Sequence, residues 1–123
     1  MSATTARRGG LAVYEHPPVV DLVVHDPPPR VVLVHGSLDR AAAFLRSVRH
    51  LRHLEVVRYD RRGYGRSLDA GTSEGIDALV DDLVVVLDGR PSVVVGHSLG
   101  GVVALAAAQR HPELVSGGGG VGA

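Results

Sequence analysis

Short valine-rich runs alternate with segments of helical period along this chain, and this alternation restricts its fold more than any other feature. Residues 31–34 and 93–95 are uniformly apolar, which is typical of strands buried on both faces. Residues 38–51, 74–88 and 99–110 place apolar side chains at helical spacing. Strands that alternate with helices favour βαβ units and a largely parallel sheet. We therefore predict an α/β fold with about five strands and three flanking helices.

The predicted domain covers residues 11–115, and no linker or internal repeat divides it. Its remaining predicted strands are 11–16, 19–25 and 55–60. We expect residues 1–10 to be disordered. Residues 116–123 are mostly glycine, so we expect no packed element in this tail.

The three predicted helices carry further expectations. Ser37 or Asp39 can cap the start of the first helix. On the second helix we expect Asp77, Asp81 and Asp82 to face solvent. The third helix is apolar almost all round, so we expect it to be buried.

Charge and residue usage exclude several classes of protein. Thirteen Lys and Arg residues balance thirteen Asp and Glu residues, so we expect no nucleic-acid binding driven by bulk charge. The chain has no cysteine, which excludes disulfides, thiol chemistry and zinc sites with thiolate ligands. Every basic residue is arginine, and without lysine neither a P-loop nor a Schiff base is available. We expect no metal and no cofactor.

The same composition bears on location and source. No apolar run approaches the roughly 18 residues that a transmembrane helix needs. The first ten residues lack the apolar region of a secretory signal. We therefore expect a cytoplasmic protein with no membrane partner. The absence of lysine and asparagine beside abundant valine, alanine and glycine indicates a GC-rich bacterial genome.

A sharp motif, G-H-S-L-G-G, occupies residues 96–101 between a predicted buried strand and a predicted helix. Gly96, Ser98 and Gly100 match the G-x-S-x-G turn that carries a nucleophile. A side chain at either glycine would collide with the neighbouring strand or helix. The turn lifts the Ser98 hydroxyl above the sheet and onto a helix N-terminus, which favours an oxyanion. The alternative is a glycine-lined turn with a capping serine, but the strand-turn-helix context favours a nucleophile.

A second segment, His35-Gly36-Ser37, follows the other buried strand. In that position the backbone N–H of Ser37 can point at the same spot as the N–H of Leu99. Two such donors form an oxyanion hole, and the loss of one costs roughly 10²–10³ in rate. The alternative is that Gly36 only turns the chain and His35 is a packed loop histidine.

A third segment, residues 59–67, follows the strand at 55–60 and reads Y-D-R-R-G-Y-G-R-S. Its glycines suit positive-φ turn positions. Asp60, Arg62 and Arg66 can tie the turn together by charge-assisted hydrogen bonds. A dinucleotide-binding interpretation fails because Leu68 stands where the third glycine belongs. We interpret the segment as scaffolding beside the site.

Taken in this order, the three segments resemble the serine hydrolase branch of the α/β-hydrolase superfamily. The resemblance runs over about residues 11–115, and it implies that Ser98 attacks the carbonyl of an ester-like or other small acyl substrate. It also implies that the N–H groups of Ser37 and Leu99 hold the oxyanion. The residues that would support the loop and the turn are His35, Gly36, Gly96, His97 and Gly100. An Asp in place of Ser98 would have suggested epoxide or haloalkane hydrolysis.

The chain departs from this superfamily after the nucleophile, where the triad acid and then the histidine should follow. After Ser98 the chain contains one acidic residue, Glu113, and one histidine, His111. His111 lies at the far end of the predicted helix, roughly 20 Å away at 1.5 Å per residue. A general base must come within about 3 Å, so His111 does not qualify, and the side chain of His97 should leave the turn in another direction.

We therefore expect the N-terminal half of a hydrolase domain, a truncated α/β-hydrolase fold without acid, base and lid. A second hypothesis follows: a non-catalytic fragment or binding module that needs a complementary C-terminal half. The strand at 92–96 would then expose an apolar edge where the sixth strand is missing. We expect self-association through that edge, or insolubility.

Overall fold

The computed structural model describes residues 4–19, 30–37, 39–70 and 75–121. Its strands are β1 (Thr4–Arg8), β2 (Leu11–His16), β3 (Arg30–Val34), β4 (Glu55–Tyr59), β5 (Ser92–His97) and β6 (Val115–Val121). Its α-helices are α1 (Leu45–Arg49), α2 (Gly75–Leu87) and α3 (Leu99–Arg110), and 3-10 helices cover Ala41–Phe44 and Gly65–Ala70.

The six strands form one sheet in the order β1-β2-β4-β3-β5-β6. β1 and β2 pair antiparallel, and β2 pairs antiparallel with β4. The next three pairings, β4 with β3, β3 with β5 and β5 with β6, are all parallel. The predicted α/β class and mostly parallel sheet are confirmed, with six strands instead of about five.

The central strand β3 explains the uniform valine pattern, because both of its faces are covered. Val32 and Val34 belong to the larger core, under α2 and α3. Val31 and Leu33 point to the opposite face and join a smaller cluster that packs against Phe44 and its neighbours. A strand buried on both faces has no position for a polar side chain in its middle.

Two of the three predicted helices are confirmed, and the first is only partly helical. Residues 74–88 and 99–110 correspond to α2 and α3. Residues 38–51 form a 3-10 turn followed by the five-residue α1, and Leu38 lies outside the described residues. The sequence offered Ser37 or Asp39 as a helix cap. That expectation was wrong, because the N-cap is Arg40 and no side chain caps the turn. Asp39 accepts only the neighbouring N–H of Arg40, at 2.9 Å, and the Ala41 N–H donates to the Asp60 carboxylate at 2.8 Å.

The environments of α2 and α3 correct two further expectations. Asp82 was expected to face solvent, but it is 7% exposed and accepts two hydrogen bonds from Arg62 at 3.0 and 2.9 Å. The helix α3 was expected to be buried all round. Val102 and Leu105 on its outer face are instead 53% and 59% exposed. The predicted strand at 19–25 falls almost wholly outside the described residues.

Both ends of the chain also differ from the prediction. Residues 4–8 were expected to be disordered, yet they pair along the whole of β1 with β2. Residues 117–120 of the glycine tail pair in parallel register with residues 93–96 of β5. The hydrogen bonds between strands use only backbone groups, so a run of glycines can form a strand. Such a strand has no side-chain pattern from which it could be predicted.

The pairing of β6 removes the open edge predicted at residues 92–96. Strand β5 has neighbours on both sides, and Val94 in its centre is fully buried. The expectation that the sixth strand is missing was therefore wrong. Self-association stays a prediction, without the edge that motivated it. None of the helices in the described ranges has the length and apolar content that crossing a membrane requires.

Candidate active site

Ser98 occupies the sharp turn that joins β5 to α3. Its backbone angles are φ 54° and ψ −118°. Among the described non-glycine residues, only Asp88 shares a positive φ. A side chain held in such a region costs on the order of 1–3 kcal/mol and persists only where the surroundings impose it. The turn therefore holds Ser98 in a strained conformation, as a nucleophile turn does.

The flanking glycines are required by the close approach of two backbones. A Cβ built on Gly96 would lie 2.0 Å from the carbonyl oxygen of Gly100. A Cβ built on Gly100 would lie 2.2 Å from the carbonyl oxygen of Val34, at the end of β3. Both distances are far below van der Waals contact, so the collisions expected from the sequence occur. No side chain fits at either position.

The loop after β3 lies directly against this turn. A Cβ built on Gly36 would lie 3.2 Å from the Cβ of Ser98 and 3.1 Å from Nδ1 of His97. Gly36 is buried, and Ser37 beside it is exposed. The structure thus brings together the two segments that the sequence proposed for an oxyanion hole, and Ser98 is half-buried beside Gly36.

His35 supports this loop in its neutral form. Its Nδ1 lies 2.8 Å from the carbonyl oxygen of Gly36, and its Nε2 accepts the backbone N–H of Arg61 at 2.9 Å. Because that N–H is a donor, Nε2 is unprotonated and Nδ1 carries the proton. Burial lowers the pKa of His35, and the nearby Arg61 cation lowers it further. Both ring nitrogens are occupied, so His35 holds the loop and is not free to act as a base.

The turn after β4 is organised by Asp60, which is 3% exposed. Its carboxylate accepts hydrogen bonds from the Ala41 N–H at 2.8 Å, the Tyr14 hydroxyl at 2.7 Å and the Arg66 N–H at 3.1 Å. The predicted tie between Asp60 and Arg66 is present, but it uses the backbone of Arg66. Arg62 binds Asp82 on α2 instead of Asp60.

Sequence reasoning missed the role of Arg61. Its side chain is 3% exposed and donates from Nε to the carbonyl oxygen of His35 and from Nη2 to that of Gly36. The sequence shows only two adjacent arginines after a strand. It gives no sign that one turns inward to the loop and the other outward to α2.

A cavity of about 600 Å³ opens beside the N-terminus of α3. Its lining includes Arg61, Tyr64, Ile76, Leu79, Leu99 and Val102. Most of these side chains are apolar, and Leu99 directly follows Ser98. A concave, mostly apolar space with a few polar groups is typical of small-molecule sites.

The histidines with identified contacts in the described ranges bind groups other than the Ser98 hydroxyl. His16 accepts a hydrogen bond from Arg58 on the far side of β4, and His35 is occupied as described above. His111 follows the last residue of α3 and lies 3.5 Å from Glu113. His97 contacts the Gly36 side of the turn. The described part of the chain shows no hydrogen bond between an imidazole and the Ser98 hydroxyl.

Comparison with known proteins places this geometry in a family. Residues 25–119 match the family model described as serine aminopeptidase, S33. The chain belongs to this α/β-hydrolase family. The resemblance inferred from the three sequence segments is confirmed, and the match covers all of them.

Two curated relatives are similar to this chain over most of its length. The chain is 38% identical over 92 residues to lipase LipV of Mycobacterium tuberculosis, covering 72% of this chain and 35% of that protein. It is 39% identical over 93 residues to the uncharacterized hydrolase YraK of Bacillus subtilis, covering 71% of this chain and 34% of that protein. The chain therefore spans about a third of the length of these relatives.

Solved structures share the fold. A membrane phospholipase A described as a bacterial virulence factor superposes with a TM-score of 0.80 at 23% identity, over 99% of this chain and 40% of that one. Epoxide hydrolase A from Mycobacterium thermoresistibile gives 0.74 at 26% identity, over 97% of this chain and 38% of that one. The sheet and its helices thus follow the α/β-hydrolase arrangement over the part that this chain contains.

Proposed function

We propose that Ser98 is the nucleophile of an acyl hydrolase. The observation that carries this proposal is the strained turn, in which Ser98 at φ 54° is fixed between two glycines that have no room for a side chain. In the proposed step the Ser98 Oγ bonds to the substrate's carbonyl carbon, its proton passes to water or a dissolved base, and the carbonyl π electrons move to the oxygen. Collapse of the tetrahedral intermediate breaks the bond to the leaving group, which takes a proton from solvent, and leaves an acyl-enzyme. Water then attacks the acyl carbonyl carbon, which releases the acid and restores the Ser98 hydroxyl.

The proposed oxyanion hole consists of the backbone N–H groups of Ser37 and Leu99. Leu99 is the first residue of α3, where N–H groups lack intrahelical partners. Over the ranges that the structure describes, neither N–H donates to a protein acceptor. Two free donors beside a fixed hydroxyl are what stabilisation of an acyl-transfer oxyanion requires.

The substrate class we propose is an ester-like or other uncharged acyl compound. Support comes from the cavity beside Leu99, whose walls include Ile76, Leu79 and Val102. An apolar acyl group gains free energy by leaving water for such walls, at roughly 25 cal/mol per Å². We keep a cytoplasmic location as part of this proposal.

A second candidate function is a module that binds a complementary chain and turns over little by itself. The observation that favours it is the lack of a histidine hydrogen-bonded to Ser98 among the described residues. A serine hydroxyl without a base is a weak nucleophile at neutral pH. The two candidates agree on Ser98 and differ in the rate that this chain reaches alone.

Covalent labelling tests the nucleophile. A fluorophosphonate loses fluoride when Ser98 Oγ attacks phosphorus, so intact-mass measurement counts the adduct and peptide mapping locates it. We expect one slowly formed adduct on Ser98, none on Ser98→Ala, and an unchanged result for Ser116→Ala, whose side chain is exposed on β6. Added imidazole should accelerate the reaction by supplying a base. No adduct, or an adduct at another serine, would overturn the proposal.

Turnover separates the two candidate functions. With p-nitrophenyl acetate the chain should exceed Ser98→Ala only slightly. An oxyanion hole without its base still retains roughly 10³–10⁴-fold catalysis over water in triad enzymes. Ser98-dependent turnover at ordinary enzyme rates would rule out the binding module and require a base among the residues of this chain.

A further inference from the structure

Arg61 contacts the loop beside Ser98 at three points. Its Nε donates to the carbonyl oxygen of His35 at 3.0 Å, and its Nη2 donates to that of Gly36 at 3.1 Å. Its backbone N–H donates to Nε2 of His35 at 2.9 Å. Within the described ranges this buried guanidinium forms no ion pair with a carboxylate. Its hydrogen bonds therefore go to the loop and not to a counter-ion.

The geometry of the peptide bond gives these contacts a consequence. In a trans peptide the carbonyl oxygen of one residue and the N–H of the next point in opposite directions. The Gly36 oxygen is held by Arg61 Nη2 and by Nδ1 of His35. The N–H of Ser37 must then point away from the guanidinium. Whatever fixes the Gly36 oxygen also fixes the direction of the Ser37 N–H.

We propose that Arg61 is a positioning residue that orients the Gly36–Ser37 peptide and thereby aims the Ser37 N–H into the oxyanion hole. This inference rests on the function proposed above for Ser98. A guanidinium suits the task because its planar fork presents two donors to two successive carbonyl groups. The ring of Tyr64 lies 4.9 Å from the guanidinium carbon and 5.3 Å from the His35 ring, and so packs against both supports of the loop.

A matched arginine at the opposite end of β3 separates positioning from mere packing. Arg30 is 4% exposed and donates from Nη2 to the carbonyl oxygens of Leu87 and Arg90 and from Nε to the Ser92 hydroxyl. Arg30 and Arg61 thus share burial and backbone acceptors. Only Arg61 binds the loop that contacts Ser98.

The experiment compares Arg61→Met, Arg61→Lys and Arg30→Met with the wild-type chain. Saturation kinetics of fluorophosphonate labelling give kinact and KI, and thermal unfolding gives stability. We expect Arg61→Met to lower kinact by about 10- to 100-fold, somewhat less than complete loss of one oxyanion donor, with KI within about twofold. Arg61→Lys should recover part of the rate, because an ammonium group can still donate to both carbonyl groups.

Arg30→Met should lower the unfolding temperature as much as Arg61→Met and leave kinact unchanged. The ³¹P resonance of the Ser98 adduct should shift in Arg61→Met and stay in place in Arg30→Met, since only the first changes the donors around the phosphonyl oxygen. If Arg61→Met does not fold, Arg61→Gln, which keeps a donor for one carbonyl, takes its place in the same comparison.

The outcomes are distinguishable. Equal kinact and equal ³¹P shifts for wild type and a folded Arg61 variant would overturn the role of Arg61 and leave Ser98 as the nucleophile. A fall in kinact of equal size for Arg30→Met would also overturn it, because stability alone would then explain the loss. Absence of a Ser98 adduct in the wild type would overturn the proposed function, and the role of Arg61 with it.

Discussion

The two ends of strand β3 use the same chemistry to different effect. At its first residue, Arg30 binds carbonyl groups at the end of α2. Beyond its last residue, Arg61 binds carbonyl groups of the loop that contacts Ser98. In each case a buried guanidinium donates to backbone oxygens, and those of Gly36, Leu87 and Arg90 also have a second hydrogen-bond partner. What differs is what the surrounding backbone leaves unpaired.

The Arg30 end is closed. The guanidinium meets the carbonyl groups that a helix C-terminus leaves free, where a cation is also favoured by the helix dipole. Arg90 beside it forms a two-point ion pair with Glu55 at 2.9 and 2.7 Å. The Arg61 end instead combines a strained serine with two free N–H donors. Asp88 gives the Arg30 end a positive φ as well, so what distinguishes the Arg61 end is that its strained residue carries a hydroxyl that can act as a nucleophile.

The largest effect should come from filling the close approach at the Ser98 end. In Gly100→Ala the new Cβ would meet the Val34 oxygen at 2.2 Å, so α3 must move away from β3. We expect a loss of about 3 kcal/mol or more in the free energy of unfolding, measured by urea denaturation. The control is Gly89→Ala at the other end, where the Cβ has open space but φ is +73°, for about 1 kcal/mol. Equal losses would contradict the packing described for the turn.

Removal of the arginine at the closed end should have the next largest effect. Arg30→Met removes the guanidinium that donates to the carbonyl groups of Leu87 and Arg90, which keep the Arg90 N–H and the Ser92 hydroxyl as their other donors. We expect a loss of about 2 kcal/mol in the free energy of unfolding. Arg46→Met, at an exposed position on α1, should change it by less than about 0.5 kcal/mol. A loss for Arg30→Met no greater than that of Arg46→Met would show that the remaining donors satisfy these carbonyl groups and that the guanidinium adds no stability.

Relief of the backbone strain at Ser98 should raise stability and abolish the reaction with the fluorophosphonate. Ser98→Gly removes the side chain from a positive-φ position and should increase the free energy of unfolding by about 1 kcal/mol while abolishing labelling. Asp88→Gly, at φ 53° after α2, should give a smaller gain because Asp tolerates the left-handed region better than Ser. If Ser98→Gly is less stable than wild type, the turn is not strained as described.

The smallest effect concerns pH. Burial lowers the pKa of His35 below its ordinary 6.5, so the unfolded chain takes up a proton that the folded chain resists. Stability from this group is complete above about pH 6.5 and is lost as pH falls from there towards the folded pKa, at no more than about 1.4 kcal/mol per pH unit. Burial and Arg58 lower the pKa of His16 as well.

Urea denaturation between about pH 7.5 and 5.5 measures this dependence. The acid-induced loss should be smaller in His35→Gln and in His16→Gln than in the wild type. An NMR titration should show His35 still neutral when an unfolded histidine is half protonated. A loss in His35→Gln as large as that of the wild type would mean that the pKa of His35 is not lowered in the folded chain.

The sequence allowed prediction where a local pattern and a steric demand coincide. The apolar run of β3 follows from burial on both faces, and the glycines around Ser98 follow from backbones in near contact. In β5 one face is buried and the other, with Val93 and Val95, is half-buried. Burial and close backbone approach each restrict the residue type at the position where they act. That is why β3, β5, α2, α3 and the turn could be placed within one or two residues.

The features that escaped prediction depend on distant partners. Strand β6 forms from glycines because its bonds are made by the backbone of β5. Asp82 was placed in solvent because nothing near it in sequence shows that Arg62 reaches across to it. The inward turn of Arg61 likewise depends on carbonyl groups 25 and 26 positions away. Hydrogen bonds over such separations leave no periodic trace in the sequence.

A crystal structure of the fluorophosphonate adduct would test the central claim most directly. The quantities to measure are the distances from the phosphonyl oxygen to the backbone nitrogens of Ser37 and Leu99. We predict an adduct on Ser98 with both distances at about 2.7–3.1 Å, the range of oxyanion-hole donors. A phosphonyl oxygen turned to solvent, or bound to only one of the two nitrogens, would contradict the oxyanion hole and the orientation assigned to its loop.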